Sequence, residues 1–228
     1  DPETASRLQK IAGRHITIEV TGRIEETSDP LKCNEAERAA LAEMLRARPI
    51  WFAVACPQAE EEAVLAAHAH VLRLAHRMLL ILSPADPSRL GPIREICQRD
   101  GWVVATRAED EEPEAEVQVL LTEGEAEIGL WYRLAPVTFM GGTLMPGASG
   151  RNPYEPAALG SAILHGPHPG PYPDAYARLD EAHAARRVSD PEALAEAVAE
   201  ILAPDKAAQL AHNAWAASSG GAEVTERV

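Results

Sequence analysis

"PVTFMGGTLMPGASGRNPYEPAALGSAILH" (residues 136–165) holds a complete strand–turn–helix–strand unit. An apolar strand (136–141) runs into a Gly-rich turn, a helix follows (153–160), and a second apolar strand closes the unit (162–165). Neither strand shows the apolar–polar alternation of a sheet with one wet face. Both instead suit a sheet covered by helices on its two faces. Strands separated by helices in this way pair in parallel.

The alternation continues outward in both directions. Strands are expected at 15–20, 50–55, 78–83, 102–106, 117–121 and 186–189. Helices are expected at 34–48, 58–76, 88–100, 125–134, 172–184, 190–203 and 204–217. Asp190-Pro191 and Pro204-Asp205 have the form of helix starts. The fold expected is α/β, a doubly wound parallel sheet. The run "RAEDEEPEAE" (107–116) reads as a solvated loop, and the tail "SSGGAEVTERV" (218–228) as loose chain. The opening "DPETASRLQKIAG" (1–13) reads as a helix without a start, so the chain is expected to be a fragment.

Composition narrows the partners. Against 21 Lys and Arg stand 35 Asp and Glu, a net charge of −14. Nucleic acid and anionic lipid surfaces repel such a chain. Cys33, Cys56 and Cys97 are far apart and odd in number, which suggests neither a disulfide framework nor a zinc site and fits a reducing cytoplasm. No apolar run approaches the roughly 18 residues of a membrane span, and no signal peptide is evident.

Ligands meet a doubly wound sheet at the carboxyl ends of its strands. Three turns there stand out. The first holds Gly141, Gly142 and Thr143, either a plain tight turn or a place where backbone N–H groups approach a phosphate. In the second, Asn152 suits a helix cap, Pro153 the first helical position and Glu155 the first turn. It reads either as a well-made helix start or as a rigid mount presenting a carboxylate to sugar hydroxyls. The third, "HGPHPGPYP" (165–173), is a stiff loop in which His168 is a phosphate donor or an ordinary loop histidine. His68, His70 and His76 share one helix and read as surface or helix-end residues. Glu60, Glu61 and Glu62 follow Cys56 closely and would raise the pKa of its thiol, which argues against a reactive cysteine. No Ser-His-Asp or Cys-His arrangement stands out. No GxGxxG is present, so no nicotinamide or flavin cofactor is expected.

"GLWYRLAPVTFMGGTLMPGASGRNPYEPAALGSAILHGPH" (129–168) resembles the C-terminal half of the 3-deoxy-D-manno-octulosonic acid (Kdo) transferases, and the likeness extends through "VTGRIEE" (20–26), "WFAVACPQAEEEAVLAAH" (51–68) and "LLILSPADP" (79–87). These are GT-B glycosyltransferases of bacterial lipopolysaccharide synthesis. The resemblance implies two Rossmann-like domains with a cleft between them. It also implies transfer of Kdo from CMP-Kdo to a lipid A precursor without metal or cofactor. On this reading residues 1–21 end a preceding N-terminal domain or linker, 22–217 form the Rossmann-like nucleotide-sugar-binding domain, and 218–228 are a flexible tail. The base, the lipid acceptor and the membrane contact belong to the N-terminal half. This half would contain no catalytic residue and would not itself touch the membrane. The whole protein would sit peripherally on the cytoplasmic face of the inner membrane.

The resemblance carries over residue by residue. Gly141, Gly142 and Thr143 match the turn near the donor's phosphate or sugar. Asn152 and Glu155 match nucleotide-side residues, Glu155 as the ribose ligand. Glu127 matches the Glu of a Gly-Glu-(Leu/Met) segment, and His168 the His of a Gly-Pro-His loop. The departures fall at polar positions. Ala55-Cys56-Pro57 replaces Ser-Thr-His, Pro84-Ala85-Asp86 replaces Pro-Arg-His, Arg151 replaces a His and supplies a cation there, and Pro171 replaces an Asn. Asp86 puts a negative charge where a positive one would meet phosphate. Two alternatives follow: a GT-B transferase using another nucleotide sugar, and a degenerate, non-catalytic homologue.

Overall fold

In the computed structural model, residues 31–219 are described, apart from 47, 124 and 202. The strand expected at 15–20 lies outside the described residues. Among the described residues, seven strands form one sheet: β1 (Ile50–Cys56), β2 (Leu79–Pro84), β3 (Val104–Thr106), β4 (Val119–Leu121), β5 (Val137–Met140), β6 (Ala162–His165) and β7 (Ala185–Arg187). Their order is β3-β4-β2-β1-β5-β6-β7, and every neighbouring pair is parallel. The helices are α1 (Glu35–Met44), α2 (Gln58–Leu72), α3 (Leu90–Arg99), α4 (Ile128–Leu134), α5 (Tyr154–Ala158), α6 (Pro173–Glu181), α7 (Pro191–Ile201) and α8 (Pro204–Ser219). The doubly wound sheet expected from the sequence is the fold observed.

Strand residues point alternately to opposite faces, and here both faces are buried. Trp51, Ala53, Leu80, Leu82, Phe139 and Leu164 face one core, which α2, α3 and α7 cover with Val64, Ile93 and Leu194. Phe52, Val54, Leu79, Ile81, Met140 and Ile163 face the other, covered by Leu41 of α1, Trp131 of α4, Ala157 of α5 and Leu179 of α6. This accounts for strands without an apolar–polar rhythm. The last helix, α8, joins the two cores, with Ala207 in the first and Ala214 in the second.

The charged run at 107–116 is less idle than a solvated loop. Arg107 pairs with Glu37 and, at 2.8 Å, with Glu127. Glu111 accepts from the Thr106 amide at 2.8 Å and pairs with Arg94 at 3.0 Å. The run therefore ties the end of β3 to α1, α3 and the start of α4.

One histidine departs from its expected place. His68 is fully buried, not on the surface. It shares a face of α2 with Val64 and Val71, at the i, i+4, i+7 spacing of a core stripe, and its polarity hides that stripe in the sequence. The Trp51 indole N–H donates to its Nδ1 at 3.2 Å, while Nε2 lies 2.9 Å from the Gln118 carbonyl. One neutral tautomer, protonated on Nε2, satisfies both contacts. Burial pushes its pKa down to about 3. His70 and His76, by contrast, are half-buried and exposed near the helix end.

The sign of the pH effect follows. Below 6.5 the unfolded chain binds a proton at His68, and the folded chain does not until about 3. Stability from this site is present above 6.5 and is lost as pH falls toward 3, by up to about 1.4 kcal/mol per pH unit. Urea denaturation at stepped pH checks this. The acid-side slope of unfolding free energy against pH should flatten in His68→Gln; an unchanged slope would refute the assignment.

Candidate functional site

The winding direction of the chain reverses between β1 and β5. From β1 the chain passes to α2 on one face; from β5 it passes to α5 on the other. At the carboxyl edge the connections therefore diverge and leave a crevice, the usual ligand position in such sheets. Its walls are Ala55-Cys56-Pro57 at the end of β1 and the long loop from Gly141 to Pro153 after β5.

The two walls touch. Gly141 donates its amide to the Val54 carbonyl at 2.9 Å. A Cβ on Gly141 would lie 2.5 Å from that carbonyl oxygen and 2.7 Å from Cys56 Cα, so only glycine fits. Ala55 opposite takes a left-handed φ of 49° where the β1–β2 register shifts.

Glu60, in the first turn of α2, fastens the crevice. It is fully buried, and its carboxylate accepts from the amides of Gly142 at 2.9 Å, Leu144 at 2.8 Å and Met145 at 2.8 Å. Burial raises its pKa, against the lowering effect of those three amides and of nearby His168. Thr143 continues the lock: its hydroxyl donates to the Met140 carbonyl at 2.5 Å and accepts from the Gly166 amide at 2.7 Å. His168 donates its own amide to the Thr143 carbonyl at 2.8 Å. Gly141, Gly142, Thr143 and His168 are thus brought together. The amides of 141, 142, 144 and 145 already have protein acceptors. The Glu60 carboxylate holds three of them and the Val54 carbonyl the fourth.

The helix begins one residue later than expected, with Pro153 at the cap position, and Asn152 Oδ1 just before it accepts from the Tyr154 amide at 3.0 Å. Glu155 sits in the first turn of α5 with both carboxylate oxygens engaged. Arg151 donates to it from Nε at 3.0 Å and Nη2 at 3.1 Å, and the buried Tyr132 hydroxyl donates at 3.2 Å. Arg151 also reaches Glu125 at 2.6 Å, and its carbonyl accepts from the Tyr176 hydroxyl at 3.3 Å. Glu127 stands apart from this group, paired with Arg107 at the start of α4.

Arg89, after β2, is forked onto Glu61 at 2.7 and 3.1 Å. The arginines that follow β2, β3 and β5 at this edge, Arg89, Arg107 and Arg151, are therefore each neutralised by carboxylates. Asp86 turns to its own backbone, accepting from the Ser88 amide at 2.9 Å. Cys56 is buried, and burial, then Glu60 and Glu61, push its thiol well above the ordinary range. Among the described residues, no group of three or more His, Cys, Asp or Glu is placed to hold a metal ion. No described helix is long and apolar enough to cross a membrane.

The sequence reading missed Glu60 as the fastener and Tyr132 and Arg107 as partners. The signal for Glu60 was the acidic run at the start of α2, which reads equally well as helix-dipole compensation.

Removing the Glu60 carboxylate leaves the buried amides of Gly142 and Leu144 and the part-buried amide of Met145 unpaired. Each unsatisfied donor costs about 1–3 kcal/mol, so Glu60→Ala should lose on the order of 3 kcal/mol or more. Glu60→Gln keeps one acceptor oxygen for Leu144 and Met145 and should lose about a third as much. Urea denaturation of the two variants checks the ranking, and equal losses would refute the three-amide account.

No family model matches the chain. It is 30% identical over 156 residues to the 3-deoxy-D-manno-octulosonic acid transferase of Haemophilus influenzae, covering 68% of this chain and 36% of that protein. It is 31% identical over 165 residues to the same-named protein of Bordetella pertussis, covering 71% of this chain and 38% of the relative. Among solved structures, it resembles the C-terminal CMP-Kdo binding domain of WaaA from Acinetobacter baumannii, with 26% identity and a TM-score of 0.75. That match covers 80% of this chain and 96% of the solved domain. The chain spans less than half the length of these curated relatives and nearly all of the solved domain. Its sheet is the doubly wound type of a GT-B C-terminal domain. By sequence and by fold, the chain belongs with the C-terminal domains of the 3-deoxy-D-manno-octulosonic acid transferase family.

Proposed function

We propose that this chain is the donor-binding domain of a Kdo transferase-like, inverting GT-B glycosyltransferase. The donor is CMP-Kdo or a similar nucleotide sugar, and the acceptor is a lipid A precursor met through the N-terminal half. The observation that supports this most is the mounting of Glu155. A carboxylate in the first turn of the helix after β5 is held by a buried tyrosine hydroxyl and an arginine fork, on a fold whose solved relative is named for CMP-Kdo binding.

In this reading Glu155 accepts the ribose hydroxyls, beside Asn152. The turn of Gly141, Gly142 and Thr143 shapes the floor without donating its amides. His168 and Arg151 offer hydrogen-bond donors toward the phosphate, and Glu127 steadies the neighbouring helix start. The domain binds and orients the donor. A base in the N-terminal half takes the acceptor hydroxyl's proton, the alkoxide attacks the anomeric carbon, and CMP leaves with the electrons of the broken bond. The acidic charge of −14 suits a half that leaves membrane contact to its partner domain, with the whole protein peripheral on the cytoplasmic face.

One feature favours the second reading, a non-catalytic homologue. The arginines at this edge are neutralised within the protein, and Asp86 adds a negative charge. Charge-assisted hydrogen bonds to phosphate contribute about 1.5–3 kcal/mol each, so the loss of two weakens a nucleotide by a hundredfold or more, at about 1.4 kcal/mol per tenfold.

Calorimetric titration separates the two. CMP should bind more tightly than UMP, and Glu155→Ala, with its melting temperature checked, should weaken CMP by about tenfold or more. Absence of binding by either nucleotide up to millimolar concentration would overturn the donor-binding reading. Residues 1–228 alone should transfer no sugar, because a GT-B site is assembled from two domains; turnover by this chain alone would refute the division of labour.

A further inference from the structure

The contact that holds Glu155 is also the contact a ligand would have to share. A carboxylate offers about four lone-pair sites. The Arg151 fork fills two of them, through Nε at 3.0 Å and Nη2 at 3.1 Å, and the Tyr132 hydroxyl fills a third at 3.2 Å. One remains. A ribose diol needs two, so it cannot donate both hydroxyls while the fork is closed.

Tyr132 is not free to yield. It is almost fully buried, in edge contact with Phe52 at 5.6 Å in the core. Arg151 is the partner able to move. Its Nη1 already lies 2.6 Å from Glu125, an exposed carboxylate on another segment. A guanidinium that leaves Glu155 therefore keeps a counter-charge, while its backbone stays tied by the Tyr176 hydroxyl. The pair is i, i+4 in sequence, and its side chains are 17% and 13% exposed, within reach of a ligand in the crevice.

We propose that Arg151 is an internal competitor for Glu155, and that opening this fork sets how tightly the site takes the ribose diol of a nucleoside. This rests on the reading of Glu155 as the ribose contact. Arg151 is thus an affinity-setting residue that acts through Glu155: the closed fork neutralises the carboxylate in the empty site, and the diol replaces it in the occupied one.

The test uses uncharged probes, so that phosphate electrostatics do not enter. Cytidine and 2′,3′-dideoxycytidine are titrated into the wild-type chain, Arg151→Met and Arg151→Lys. Methionine keeps the apolar stem and donates nothing. Lysine keeps the charge but cannot fork. Arg151→Met should bind cytidine about tenfold more tightly than wild type, Arg151→Lys should fall between, and dideoxycytidine should show no gain. A purely structural ion pair would lower the melting temperature of the variants and leave cytidine affinity unchanged or weaker, which overturns the proposal. An equal gain for dideoxycytidine overturns it too, because the gain would then not come from the diol. If Arg151→Met does not fold, the lysine variant decides alone. Wild-type binding of CMP without a diol-dependent gain in the variants refutes the competition and leaves donor binding standing. No binding of CMP, UMP or cytidine to any of the three proteins refutes both.

Discussion

A buried carboxylate at the reversal point of the sheet organises this domain. Glu60 begins the helix that follows β1, and its three amide partners lie in the loop that follows β5. These two segments leave the sheet toward opposite faces, so nothing in the regular strand ladder joins them beyond their ends. The Glu60 carboxylate does. Because it is cut off from water, its acceptors cannot be replaced by solvent, and the loop has one satisfactory position. Thr143 and Gly166 extend the same lock to the loop after β6. The crevice is a fixed shape before any ligand arrives.

That fixity has an electrostatic counterpart. Although the chain is acidic overall, carboxylates at this edge of the sheet find arginines: Glu61 with Arg89, Glu127 with Arg107, Glu155 with Arg151. In a partly buried site such pairs are strong, and they compete with ligands for the same groups. An anionic or hydroxyl-rich ligand entering this crevice exchanges contacts with the protein rather than adding to vacant ones. Affinity is then decided by how easily each internal pair opens. Arg151 has a second carboxylate waiting, whereas Arg89 is held by one nearly buried partner.

Most of the fold was legible in the chain. The order of strands and helices follows from apolar runs and helix starts, because both sheet faces are covered and the strands need no polar side. Helix α5 begins at Tyr154, within one residue of where Asn152-Pro153 places it, since the turn Asn152 makes with the Tyr154 amide is a local interaction. Element ends were less legible. The strand expected over 102–106 spans Val104–Thr106, and the helix expected from 125 begins at Ile128. Ends depend on where a neighbouring strand stops, and that neighbour is distant in sequence. His68 shows the same limit: a histidine on a helix reads as polar until Trp51 and Gln118 are seen to satisfy both its nitrogens.

The doubly wound parallel sheet, the place of α5 and the family likeness carried by the turns after β5 and β6 can all be read along the chain. These rest on periodicity, local turns and contiguous motifs, which short-range geometry sets. What those turns do with their polar groups depends instead on the folded arrangement. It turned the Gly142, Leu144 and Met145 amides to Glu60, about 80 positions earlier in the chain, and set Tyr132 beneath Glu155. The physical reason is that a buried donor or acceptor must find its partner in space, and the sheet's topology, not the spacing of residues along the chain, determines which partner is near.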